Sequence, residues 1–131
     1  MREELSMIVK NVNEVKEIKA HGEAVYRYLY MRKDIYERLN MEDILKSLGG
    51  FWQTTVYPNK TLEEHMHENH EQIYFIVRGG GVLRVGGEER KVKPGDAIYI
   101  PPKTPHSFYN DGEEECIILM VDAIIDSETK S

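Results

Sequence analysis

From Phe51 onward the chain is cut into short runs rich in β-branched and aromatic residues, and this punctuation limits its fold more than any other feature. The runs are FWQTTVY, QIYFIVR, GVLRVGG, AIYIPP, HSFYN and CIILMVD. They are separated by Pro58-Asn59, Gly79-Gly80-Gly81, Gly86-Gly87, Lys93-Pro94-Gly95-Asp96 and Asp111-Gly112. Runs of this length suit strands, and closely spaced turn chemistry marks an all-β sandwich or barrel. Six or seven such strands predict a mainly β fold, an antiparallel jelly-roll barrel with its core at about residues 51–126. Trp52, Val56, Val85, Ile98, Ile100, Ile118 and Met120 are available to pack its interior.

The first fifty residues have a different texture. VYRYLYM, Val25 to Met31, alternates as a strand would after a turn at His21, Gly22 and Glu23. Its rings Tyr26, Tyr28 and Tyr30 form a one-sided stripe, suited to a core or to a subunit contact. Between Asp34 and Leu48 the spacing of Ile35, Leu39, Ile44, Leu45 and Leu48 predicts a helical segment, stopped by Gly49-Gly50. With no repeat and no Pro/Ser-rich linker, residues 1–131 are expected to form one domain, the N-terminal fifty covering a sheet edge or building a dimer contact.

Bulk properties narrow the function classes. Hydrophobic residues at 40% and charged residues at 31% suit a soluble globular chain, and the apolar run Ile117–Val121 is too short to span a bilayer. MREELSMIVKNVNEVKE lacks the apolar stretch of a signal peptide, so a cytoplasmic location and no membrane partner are expected. A net charge of −6 would repel a phosphate backbone, which argues against a nucleic-acid partner. The single cysteine, Cys116, sits in a strand-like apolar run and reads as a small core residue.

The stretch HMHENHEQIYFIVRGGG, His65 to Gly81, carries the chemistry. On a strand, His65 and His67 share a face and can aim two imidazoles at one point, although a His-x-His pair in a polar surface loop looks the same. Imidazole suits Zn, Cu, Fe and Ni. A second stretch, PGDAIYIPPKTPHSFYN from Pro94 to Asn110, ends a strand at Pro101-Pro102 and returns through a proline turn, aiming His106 back at the barrel interior. Three imidazoles from two segments form most of a metal shell.

The two stretches together resemble the paired motifs of the cupin superfamily, specifically its small single-domain conserved barrels. His65, His67, four residues, position 72, six residues and Gly79 fill the first motif; Gly95, Pro101, His106 and Asn110 fill the second. The resemblance implies one divalent ion (Zn, Ni, Fe, Mn or Cu) held by His65, His67, Gln72 and His106. It also implies a homodimer. Three slots depart from the pattern: Lys60 or a near neighbour stands for the leading glycine, Lys103 for the second motif's internal glycine, and Gln72 for the acidic ligand. Glu71 is adjacent, but counting six residues from it lands on Arg78 and not on the turn glycine.

A neutral Gln donor leaves the full charge on the ion, making it the stronger Lewis acid and an attractor of anions. This shell looks like that of small cupins that open the ring of unsaturated uronate sugars. Three functions fit: a metal-dependent isomerase or lyase acting on a small anionic sugar acid or keto-acid, a non-catalytic cupin that binds or senses a metabolite, or an iron or copper dioxygenase. Tyr74 shares the parity of Gln72 and is the candidate acid/base group, or else an aromatic wall. Phe108 and Asn110, of His106's parity, are expected to line the pocket with Ile76. His70 reads as exposed or as a support to a ligand, and Arg27 and Arg84 as surface residues.

Overall fold

The computed structural model describes residues 7–34, 36, 39, 41–42 and 44–125. Among them are a 3₁₀ turn, Val12–Glu14, and ten strands: β1 Ile18–Ala20, β2 Ala24–Met31, β3 Leu48–Val56, β4 Thr61–His65, β5 His70–Arg78, β6 Gly81–Val85, β7 Glu88–Val92, β8 Ala97–Ile100, β9 His106–Tyr109 and β10 Cys116–Ile124. They form a six-stranded sheet, β1-β2-β3-β10-β5-β8, and a four-stranded sheet, β4-β9-β6-β7, with every pairing antiparallel. This is the expected jelly roll.

Alternation puts the core between the sheets. On β5, Gln72, Tyr74 and Ile76 are buried while Ile73, Phe75 and Val77 face out; on β10, Cys116, Ile118, Met120 and Asp122 point in. Trp52, Val56, Ile100, Ile118 and Met120 are buried as expected, with Val85 and Ile98 packed against them. Phe108 lies in the core beneath Gly81, where a Cβ would run into its ring. Asn110, fully buried, donates to the carbonyls of Val56 (2.8 Å) and Glu114 (2.9 Å) and accepts from the Gly112 amide (2.8 Å). Both face inward, but they serve the core and its loops, because the site described below is lined by other residues.

Several local readings change. Gly49 and Gly50 lie inside β3 and do not end a helix. A side chain at 49 would meet Asp122 Oδ1 at 2.5 Å, so close packing demands the glycine. The predicted helix over 34–48 falls partly outside the described residues. Within them, the Tyr36 amide donates to the Arg32 carbonyl (3.0 Å) and Leu39 to Tyr36 (3.0 Å), short helical turns with no α-helix assigned. The tyrosine stripe is broken by a bulge: Tyr28 pairs with Trp52 but Tyr30 with Phe51. Tyr26 and Tyr28 are thus buried, whereas the Tyr30 hydroxyl turns out to the Ile8 carbonyl (2.9 Å). β7, with the sequence EERKV, has too little apolar character to announce itself as a strand.

The N-terminal segment reaches both sheets. β1 and β2 extend the larger sheet, and the turn between them docks on β4: Gly22 bridges Leu62, the Glu63 amide donates to the His21 carbonyl (2.9 Å) and the Glu23 amide to Thr61 (3.3 Å). Leu62 beneath this contact is fully buried. No helix among the described residues is long and apolar enough to cross a membrane.

Candidate metal centre

His65 ends β4 and His106 opens β9, and the antiparallel register places them directly opposite each other. Their rings lie 4.3 Å apart. His67 follows β4 in the loop to β5 and is not on the strand, so strand parity does not aim it. Its loop is fixed instead by the Lys103 amide, which donates to the His67 carbonyl at 2.7 Å. Lys103, in the glycine slot of the second stretch, takes the left-handed conformation that slot requires, φ 58°, as does Asn59 (φ 66°) beside Lys60. His67 comes within 5.3 Å of the His65 ring and 5.9 Å of the His106 ring. One nitrogen from each of the three falls within 4.8 Å of the others, so the trio could hold a metal ion.

The outer nitrogens are spoken for. His65 Nδ1 lies 2.8 Å from the Glu63 carbonyl, and His106 Nδ1 lies 2.8 Å from the Thr104 carbonyl. A carbonyl oxygen only accepts, so both Nδ1 atoms carry protons and both Nε2 atoms present lone pairs, as in metal-binding histidines generally. Burial also keeps the rings neutral. It pushes His106 down to about 4, opposed by the Thr104 carbonyl; it pushes His67 down to about 3, helped by the neighbouring histidines. His65 is lowered by the same desolvation.

Gln72 is 3% exposed and its Oε1 has no hydrogen-bond partner among the described residues; the same holds for His106 Nε2. Buried acceptors left unpaired cost about 1–3 kcal/mol each, and a cation bound by both would remove that cost. Glu71 faces the other way and accepts from the Tyr99 hydroxyl at 2.9 Å on the outer sheet face. The donor set of three imidazoles and an amide oxygen therefore suits a divalent ion. Tyr74 lies beneath, fully buried, its ring 6.1 Å from His106 and its hydroxyl unpartnered. Desolvation, then the nearby Asp122, raises its ionisation well above the usual range, which keeps the phenol protonated. Arg27 pairs with Glu17 and Arg84 with Glu89, both away from the centre.

A cavity of about 300 Å³ opens beside His65, His67 and Gln72. One wall is aromatic, made of Tyr26, Tyr28, Tyr36 and Trp52; the other carries His21, His65, His67, His70 and Gln72. All five histidines of the chain thus gather at one place. His70 Nδ1 bonds Asp122 Oδ2 (2.9 Å), which also accepts from the Tyr36 hydroxyl (2.6 Å). Burial raises the Asp122 carboxyl, and these partners oppose the rise. Asp122 could have been noticed as an acid on the inward parity of β10. His21 offers no such signal, because only the docking of its hairpin on β4 brings it here.

Residues 52–122 match the family model described as a cupin domain. An uncharacterized protein of Methanocaldococcus jannaschii is 36% identical over 107 residues, covering 80% of this chain and 85% of its own. A glucose-6-phosphate isomerase of Pyrococcus horikoshii is 30% identical over 130 residues, covering 86% of this chain and 69% of its own. Among solved structures, a Thermotoga maritima protein described as a predicted oxalate decarboxylase superposes with a TM-score of 0.74 at 22% identity, over 90% of this chain and 100% of that one. With two sheets in jelly-roll order, three convergent histidines and this family match, the chain belongs to the cupin superfamily.

Proposed function

We propose that the chain is a metal-dependent enzyme of a small anionic metabolite, such as a sugar acid or keto-acid, with one divalent ion held by His65, His67, Gln72 and His106. The observation that carries this is three neutral imidazoles whose nitrogens converge within 4.8 Å, with the buried, unpartnered Gln72 Oε1 on a residue that lines the same cavity as His65 and His67. When bound, the ion supplies Lewis acidity, polarising a carbonyl or hydroxyl of the ligand. Among the described residues the cavity lining includes no ammonium or guanidinium, and an ion held beside a neutral Gln would bring its full positive charge to draw an anion. Glucose-6-phosphate and oxalate, named for the relatives above, are both small oxygen-rich anions. Tyr74, the candidate acid/base group, is held protonated beneath the site, which suits its hydroxyl to donating a hydrogen bond and not to giving up its proton.

The homodimer belongs to the same reading. Ile73, Phe75, Val77 and Tyr99 are between 42% and 54% exposed on the outer face of β5 and β8, an apolar surface suited to a second copy of the chain. The enzymatic reading is tested by loading the purified chain with Zn, Mn, Fe or Ni and following sugar acids and keto-acids by NMR. Turnover that disappears on chelation supports it. Saturable binding of these acids with no conversion under any metal would replace it with the binding or sensing reading.

A further inference from the structure

Two of the three histidines that could hold the ion are backed by another imidazole lying parallel to them. His21 stacks on His65 with centroids 3.7 Å apart and planes 7° apart; His70 stacks on His67 at 5.0 Å and 13°. Both supports lead to the N-terminal segment. His21 sits at the left-handed tip of the β1–β2 turn, φ 51°, and that tip is pinned to β4 by the backbone bonds of His21 and Glu23 and the Gly22–Leu62 bridge. His70 is held by Asp122, and Asp122 by the Tyr36 hydroxyl. His21 and Tyr36 both lie outside residues 52–122, the part that matches the cupin model.

We infer that the N-terminal segment completes the metal centre by fixing the ring planes of two ligands through two relays, His21 on His65, and Tyr36 through Asp122 and His70 on His67. A metal ligand needs its lone pair aimed at the ion, and rotation about the side-chain torsions misdirects it. The Nδ1 bond to Glu63 restrains His65 at one atom, and a parallel ring over its face removes the remaining swing. His67 has no Nδ1 bond to a carbonyl among those described, sits in a loop, and has His70 across its face, so the second relay carries more of its orientation. His21, Tyr36, Asp122 and His70 are positioning residues. Hydrogen-bonded supports of metal ligands alter metal affinity about 10- to 100-fold when removed, and a stacked ring that fixes the same orientation is expected to act near the lower end of that range.

The inference rests on the metal reading above, and the test keeps the two apart. Cobalt(II) is titrated into the metal-stripped full chain, with affinity taken from chelator competition and geometry from the visible d–d bands. For His21→Ala we expect affinity to fall about tenfold and the bands to shift; His21→Phe, which keeps a flat ring but has no ligating nitrogen, should restore both. Tyr36→Phe, which loses one oxygen and little else, should weaken cobalt binding several-fold, and it keeps the test decisive if His21→Ala misfolds. A parent chain that binds no cobalt overturns both readings. A parent that binds, with His21→Ala and Tyr36→Phe within twofold of it, overturns this one alone. Failure of His21→Phe to rescue overturns the stacking role, since His21 would then act through its nitrogens.

Discussion

Replacing Gln72 with Glu tests why an amide stands at the proposed ligand position. Gln72 is directly across from Asp122 in the β5–β10 register, and both are buried, at 3% and 1% exposure. Side chains opposite each other on one face have Cβ atoms about 5 Å apart. Two carboxylates at ~5 Å repel by about 3 kcal/mol at an effective dielectric of ~20. The cost is capped near 4 kcal/mol at pH 7, because beyond that a Glu with a reference pKa of about 4.3 would simply take up a proton. Gln72→Glu should therefore destabilise the metal-free chain by roughly 3 kcal/mol in urea unfolding with chelator present. A double-mutant cycle with Asp122→Asn isolates the repulsion from the bonds Asp122 makes to His70 and Tyr36. Divalent metal should erase the penalty while anion affinity falls about tenfold, ~1.4 kcal/mol. A coupling energy with Asp122 below about 1 kcal/mol would refute the charge argument.

Three further outcomes are expected. Cys116 is fully buried and its thiol is pushed up to about 12, chiefly by burial and then by Glu114, so it should resist Ellman's reagent at pH 8 in the native state; reaction within minutes would show that its strand opens. Lys103→Gly should raise stability by roughly 1 kcal/mol in thermal unfolding, since φ 58° strains a side-chain-bearing residue; a loss would mean that the Lys103 side chain matters more than its backbone. Phe75→Lys should convert a dimer to a monomer in multi-angle light scattering with circular dichroism unchanged, whereas Tyr109→Lys, on the other sheet's exposed face, should leave the dimer intact. A parent chain that is monomeric throughout the micromolar range would end that assignment.

The fold was readable because strand runs and turn residues agree locally after residue 50, and the metal-ligand candidates were readable because two motif spacings name them. The spacing to Gly79 that favours Gln72 over Glu71 agrees with the burial of one and the outward bond of the other to Tyr99. What sequence could not reach depends on tertiary docking or irregular backbone. His67 is aimed by a loop tied to Lys103, Tyr30 is turned outward by a bulge, and β7 is held by its partner β6 despite its charged sequence. His21 and Tyr36 join the site only because the N-terminal segment folds back over it, a long-range contact that no local pattern encodes.

Metal content per chain tests the central claim most directly. The parent protein, purified without added metal and then saturated with one divalent ion and desalted, should carry close to one equivalent by mass spectrometry. His106→Ala and His67→Ala should each carry almost none while the circular dichroism stays β-rich, because each removes one of the three convergent imidazoles. Full retention of metal by both variants would contradict the assignment.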